Sequence, residues 1–198
     1  MKRRALLLDR DGTICEDVGY LGAVEDLRLL PRSARAIVAA AEAGFQSVLI
    51  TNQAGVARGV FDESRLGEIH DRLRELLDAE GARLDGIFYC PHHPEGEVVR
   101  YRVSCDCRKP KAGMLLRARD EMGIDLGSSY VVGDHLRDIE AGHAAGATTI
   151  LVLTGHGREQ FDKRDPAGAQ PTHVAEDLHG AVEWILKREA RTVTEAGA

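Results

Sequence analysis

Ala5-Leu6-Leu7-Leu8-Asp9-Arg10-Asp11-Gly12-Thr13 sets a short apolar run directly against a pair of acids. A continuous apolar run of this length fits a parallel strand covered on both faces. It is shorter than a signal-peptide core, which needs roughly 7–15 apolar residues, so the basic start Met1-Lys2-Arg3-Arg4 reads as the lead into the first strand of a cytoplasmic protein. Asp9 and Asp11, at i and i+2 past the strand, lie close together and point the same way. Burying both is costly unless a cation sits between them or one keeps a proton. Taken alone, Asp-x-Asp is more often a turn.

Outward from this segment, strand-like and helix-like stretches alternate. Strands are expected at 46–51, 84–89, 129–132 and 148–153. Helical spacing appears in Ala34, Ile37, Val38 and Ala41, with Ser33 as a cap and Gly44 as the stop. A longer stripe, Leu66, Ile69, Leu73, Leu76 and Leu77, predicts a helix from about Asp62 to just before Gly81. Further helices are expected at 112–122, at 138–145 and around Leu178, Val182, Ile185 and Leu186, with a loop at 155–171 and a frayed tail at 192–198. Repeated β–α units imply an α/β fold, one Rossmann-like parallel sheet with helices on both faces, in a single domain over 1–191. In such sheets ligands sit at the carboxyl ends of the strands.

The chain has 198 residues, 43% of them hydrophobic and only 5% aromatic, with a formal net charge of -6. That balance argues against nucleic acid as a partner. No apolar run approaches the roughly 20 residues that span a bilayer, so no membrane partner is expected either.

The strand ends carry the chemistry. Thr51-Asn52-Gln53-Ala54-Gly55 offers a hydroxyl, amides and a glycine turn, equally suited to a phosphate or to a capped turn. Arg108-Lys109-Pro110-Lys111 precedes a helix and could serve a phosphate or be a solvated basic loop. Gly133-Asp134-His135, with Asp138 beyond, could complete a metal site or cap a helix.

Between Cys90 and Pro110 periodicity disappears. Cys90-Pro91-His92 and Cys105-Asp106-Cys107 are two short chelating pairs bracketing one loop, 90–107. Three thiols and an imidazole suit a closed, structural Zn²⁺ site better than free cysteines, and bound metal would give an apolar-poor loop one shape. His92 fits the spacing better than His93. Cys15 stands apart and reads as a small, semi-buried side chain.

In this order, Leu8-Asp9-Arg10-Asp11-Gly12-Thr13, Thr51-Asn52, Lys109 and Gly133-Asp134 resemble the motifs of the haloacid dehalogenase superfamily of phosphohydrolases. The resemblance covers nearly the whole chain. It implies Asp9 as the nucleophile that takes the phosphoryl group, Asp11 as general acid and base, and Thr51 and Lys109 as holders of phosphoryl oxygens. It also implies Mg²⁺ bound by Asp9, the backbone carbonyl of Asp11 and Asp134. The superfamily usually adds a cap domain; 12–31 is too short for one, so loops and the metal loop must cover the substrate.

Within the superfamily, Cys90-Pro91-His92-His93, Cys105-Asp106-Cys107-Arg108-Lys109-Pro110 and the 51–59 loop are similar to the heptose-bisphosphate phosphatases of nucleotide-heptose synthesis. These in turn resemble histidinol phosphatases, which share the metal loop. The resemblance implies a sugar bisphosphate as substrate, acted on by a monomer, with contacts from Asp17, Gly19, Tyr20, Asn52, Gln53, Arg108 and His135. Arg58 joins them as a specificity candidate. The resembled enzymes carry Lys where this chain has His135, only partly charged near neutrality. Two alternatives remain: a histidinol-phosphate phosphatase, and a zinc-stabilised binding protein without catalysis, against which stands the presence of Asp9, Asp11, Thr51, Lys109 and Asp134 together.

Overall fold

A computed structural model describes residues 3–196, with side chains of the last helix described to Arg191. Strands β1 (Arg4–Leu8), β2 (Phe45–Asn52), β3 (Gly86–Cys90), β4 (Tyr130–Gly133), β5 (Thr148–Val152) and β6 (His173–Ala175) form one parallel sheet in the order β3-β2-β1-β4-β5-β6. The central strand is β1, the apolar run that precedes Asp9.

Its side chains alternate between two cores. Leu6 and Leu8 pack with α1 (Ser33–Glu42), α3 (Glu63–Ala79) and α7 (Leu178–Ala196) on one face. Ala5 and Leu7 pack with α4 (Gly113–Met122) and with Ala141 of α5 (Leu136–Ala144) on the other. At roughly 2 kcal/mol for each fully buried leucine, β1 anchors both layers. It also holds its last residue, and therefore Asp9, in one place.

The chain runs outward from β1 through β2 to β3, then crosses back to β4 on the other side of β1. Such a reversal opens a crevice at the carboxyl ends of the strands beside it. Residues 9–32 between β1 and α1 contain only a single 3₁₀ turn, Val24–Asp26, so no cap domain is inserted there.

Several expectations are corrected by the structure. Ser33 is the first residue of α1 and does not cap it; Arg32 occupies the cap position, with φ 64°, and makes no side-chain capping bond. By contrast, Asp62 does cap α3, accepting from the Arg65 N–H at 2.8 Å. The expected loop 155–171 contains α6 (Gly157–Asp162), and β6 follows it; both are too short to show a period. The four-residue α2 (Ala54–Ala57) lies in what reads as a glycine turn. The backbone of α7 continues through Ala196, past the end expected near 191, and the rest of the expected tail, 197–198, lies outside the described residues.

His70, on the buried face of α3, has an Nε2 without a hydrogen-bond partner, and its ring lies 5.6 Å from that of Tyr89. Burial, then the charges of Arg10 and Arg74, push its pKa down to about 3 from an ordinary 6.5. The unfolded chain therefore binds a proton that the folded chain refuses, and stability falls as pH drops below 6.5. Between pH 7 and 5 this one group should cost about 2 kcal/mol. Urea titrations of the protein and of His70→Leu should show the variant losing about that much less over the same interval.

Candidate active site

Three strand ends converge on a cavity of about 350 Å³ lined by Asp9, Asp11, Asn52, Gln53, Arg108 and Arg137, among others. Asp9 follows β1 and is buried. Its Oδ1 accepts from the Arg10 N–H at 2.7 Å and from the Lys109 ammonium at 3.0 Å. Burial pushes the Asp9 carboxyl up, but Lys109, Arg137 and the Arg10 N–H outweigh it and hold the group below its ordinary value. A carboxylate kept ionised in a dry site is a competent nucleophile.

Lys109 is itself buried; its ammonium donates to the Ile50 carbonyl at 2.7 Å and pairs with Asp9 Oδ1 at 3.0 Å and Asp138 Oδ1 at 2.7 Å. Burial works against its charge, and Asp138 and Asp9 more than restore it. Asn52 fixes the backbone of this lysine, its Nδ2 donating to the Lys109 carbonyl at 3.0 Å and its Oδ1 accepting from the Lys109 N–H at 3.1 Å.

Asp134, after β4, approaches Asp9 and Asp138 closely enough for the three carboxylates to share one cation. Burial, followed by the negative charges of Asp9 and Asp138, pushes Asp134 up to about 8. With Asp138 committed to Lys109, Asp9 and Asp134 are the acids whose repulsion a divalent cation would relieve. The backbone leaves room: a Cβ on Gly12 or Gly155 would overlap the Asp134 carboxylate, and both glycines have positive φ, 74° and 52°. Oxygen donors, burial and excess negative charge fit Mg²⁺. Asp134 Oδ2 also accepts from the His156 N–H at 2.8 Å.

Asp11 is held from two sides. Arg10, wholly buried, forks onto it with Nε at 2.9 Å and Nη2 at 2.8 Å, while Gln53 Nε2 donates at 3.1 Å. The same Gln53 nitrogen donates to Thr51 Oγ1 at 2.9 Å. Thr51 is buried and bonded to Gln53, and it is not among the cavity-lining residues. Cys15 is fully buried beneath this network, its thiol 3.7 Å from Asp11 Oδ1.

The 90–107 loop gathers its four candidate ligands. The thiols of Cys90, Cys105 and Cys107 lie 3.2–3.5 Å apart, and His92 Nδ1 is 3.8 Å from Cys90 and 3.4 Å from Cys107. A tetrahedral Zn–S site has S···S edges of about 3.8 Å, so the cluster is close to the size of a zinc shell. His93 turns away and accepts from the Glu95 N–H at 3.1 Å. The loop reaches the cavity through Arg108, whose Nη1 donates to the His92 carbonyl at 3.1 Å.

Of the remaining expected contacts, Asp17, Gly19 and Tyr20 line the cavity, with Asp17 accepting from the Gly19 N–H at 2.7 Å. Arg58 and His135 are not among its lining residues. The His135 ring instead lies edge-on to His156 at 6.0 Å, and burial pushes its pKa down to about 4. Lys111 points to Asp106 at 3.1 Å on the exposed side. Conversely, Arg137 and His156 line the cavity without having been singled out in the sequence.

Among known proteins, a HAD-hydrolase-like family profile matches residues 106–181. The D-glycero-beta-D-manno-heptose-1,7-bisphosphate 7-phosphatase of Escherichia coli K12 is 45% identical over 183 residues, covering 92% of this chain and 87% of that protein. The D-glycero-D-manno-heptose-1,7-bisphosphate 7-phosphatase of Thermosynechococcus vestitus is 42% identical, covering 93% of this chain and 96% of that protein. The chain belongs to the heptose-1,7-bisphosphate 7-phosphatase family. A solved member, the D,D-heptose 1,7-bisphosphate phosphatase of B. bronchiseptica in complex with magnesium and phosphate, superposes with a TM-score of 0.82 at 36% identity, covering 93% of this chain and 99% of that one. The chain is thus a phosphatase of this family and of the haloacid dehalogenase type, with the parallel sheet that its strand order describes.

Asp138 and Arg10 are the residues whose parts the motif reading left undecided or unassigned. Asp138 was visible as an acid four residues past Asp134; what hid its partner is that Lys109 lies 29 positions upstream. Arg10 reads as one more charge in a polar turn, and only its burial shows it to be the fork that aims Asp11.

Asn52→Ala should leave the Lys109 N–H and carbonyl unpaired. Expected are a loss of about 1–3 kcal/mol in urea unfolding and a fall in turnover of roughly tenfold or more, because small displacements of a catalytic cation are costly.

Proposed function

We infer that the protein removes the C7 phosphate of D-glycero-D-manno-heptose 1,7-bisphosphate through an aspartyl phosphate on Asp9. The observation that carries this reading is the ionised Asp9 beside Lys109, in a cavity that Arg108 of the metal loop also lines. Its relatives in E. coli and T. vestitus, named for this substrate, supply the sugar.

Both hydrogen bonds to Asp9 fall on Oδ1, which leaves Oδ2 to attack phosphorus. As the Oδ2–P bond forms and the P–O bond to C7 breaks, Asp11 gives its proton to the leaving alkoxide. Asp11 then takes a proton from the water that cleaves the acyl phosphate, which releases inorganic phosphate and restores Asp9. Arg10 and Gln53 keep the Asp11 carboxyl in one orientation through both steps. Thr51 acts through Gln53, which it orients. When bound by Asp9, Asp134 and the Asp11 carbonyl, Mg²⁺ supplies positive charge against the phosphoryl oxygens. Asp17, Gly19, Tyr20 and Arg108 hold the rest of the sugar bisphosphate, and Zn²⁺ on Cys90, His92, Cys105 and Cys107 keeps Arg108 in place. The thiols, free of disulfides, suit the cytoplasm. Among the described residues no helix is long and apolar enough to cross a membrane.

The test is steady-state phosphate release, with Mg²⁺, from both anomers of heptose 1,7-bisphosphate and from histidinol phosphate. A kcat/KM at least hundredfold higher for a heptose anomer is expected, and a preference for histidinol phosphate overturns the substrate. Asp9→Asn should lose about 10³-fold or more of this activity while keeping the fold, because it removes one of three mutually repelling acids. For the metal loop, elemental analysis should find one zinc per chain. Cys107→Ser should lose that zinc and a few kcal/mol of stability, a fall of roughly 10 °C in Tm.

A further inference from the structure

The phosphoryl site has more cations than the motifs account for. Lys109 is already bonded to the Ile50 carbonyl and paired with two carboxylates, Asp9 and Asp138, so much of its charge is spent before a phosphate arrives. Arg108 lines the cavity but is tied to the His92 carbonyl. Arg137 differs from both. It occupies the first turn of α5, one residue before Asp138, and lines the same cavity as Asp9. It makes no ion pair among the described residues, and its buried Nε has no hydrogen-bond partner. A guanidinium held partly out of water with no acid in direct contact is costly unless a ligand completes it.

We propose that Arg137 is the phosphoryl-binding cation of this site, its guanidinium forking onto the oxygens of the phosphate that Asp9 attacks. The proposal rests on the phosphatase reading of the site and adds a residue to it. Three further observations support it. Arg137 lies near enough to Asp9 to help hold that carboxyl ionised, and near enough to Arg108 to depress it. A planar fork matches tetrahedral phosphate oxygens bidentately, which a lysine cannot do. Its neighbour His135, half-buried and turned against His156, is not among the residues lining the cavity, so on this stretch of α5 the charge facing the ligand comes from 137. The phosphate would thus lie between a cation that fixes the nucleophile, Lys109, and a cation that is free to follow the phosphoryl group as it moves.

The experiment uses inorganic phosphate as the probe, so that it does not depend on turnover. Dissociation constants for phosphate, with Mg²⁺ present, are measured by calorimetry on the whole protein and on Arg137→Ala, Arg137→Gln and Arg137→Lys. Arg137→Ala and Arg137→Gln should weaken phosphate binding by about tenfold or more, with Arg137→Lys between them and the parent. Values within twofold of the parent overturn the proposal. The same variants are then assayed on heptose 1,7-bisphosphate and on p-nitrophenyl phosphate, which has a single phosphate. Equal proportional losses of kcat/KM on both substrates are expected. A loss confined to the bisphosphate would place Arg137 on the distal phosphate and overturn the assignment. If the parent protein binds phosphate in an Arg137-dependent way but hydrolyses neither compound, the functional reading fails and this inference stands. Among the described residues Arg137 has no ion-pair partner to lose, so the variants should fold; matching circular dichroism and Tm check this.

Discussion

The arrangement depends on one buried ammonium. Lys109 sits among Asp9, Asp138 and the Ile50 carbonyl, and each contact links a different part of the chain: β1, α5 and β2. Without it, three carboxylates from two strand ends would face one another in a space closed to water. Repulsion of that kind is relieved by protonation or by cations. Lys109 relieves part of it; burial first, and then the charges of Asp9 and Asp138, still push Asp134 up. Excess negative charge of this kind fits a divalent cation. The same charge that stabilises the fold at this point therefore sets its chemistry.

Because Lys109 has no freedom, its backbone must be delivered accurately, and this is where the 90–107 loop acts. Arg108 and Lys109 follow Cys107 directly. The loop carries few buried apolar residues, so packing alone cannot specify its path, and four close ligands can. On the other side Asn52 clamps the Lys109 peptide from β2. A further tie comes from Glu63 at the start of α3, whose carboxylate accepts from Tyr89 at 2.9 Å and from Tyr101 within the loop. The cation is thus positioned by a cluster of three thiols and an imidazole, an amide and a carboxylate bonded to two tyrosines, each supported by a different element.

The sequence made the sheet legible because its strands are short apolar runs ended by polar turns. The strands it yielded are the buried ones, from Leu6-Leu7-Leu8 to Ile150-Leu151-Val152. It missed β6, whose three residues lie at the sheet edge and are mostly half-buried. It misread Ser33 as a cap because residue type alone cannot reveal that Arg32 adopts positive φ. At the site, residues just after strands were legible, since topology fixes where a strand end lies. Asp9, Asp11, Asn52 and Asp134 converge for that reason, whereas Lys109 is brought in by the 90–107 loop. His135 and Arg137 lie beyond a strand end, His135 as the extended cap residue of α5 and Arg137 in its first turn. The backbone changes from extended to helical between them, so only coordinates decide which one meets the ligand.

Two acids at the start of α5 play different parts. Asp138 donates its negative charge inward to Lys109 and also accepts from the His135 N–H at 3.1 Å, closing the first turn of the helix. Asp138 is thus tied both to Lys109 and to its own helix, although burial still pushes its carboxyl above the ordinary value. Asp134, four residues earlier and still on the strand side, accepts from the His156 N–H. His156 in turn reaches Asp17 with Nε2 at 3.1 Å, in the loop that covers the cavity. Asp134 and the 17–20 segment, which lines the cavity through Asp17, Gly19 and Tyr20, are thus joined through one exposed histidine.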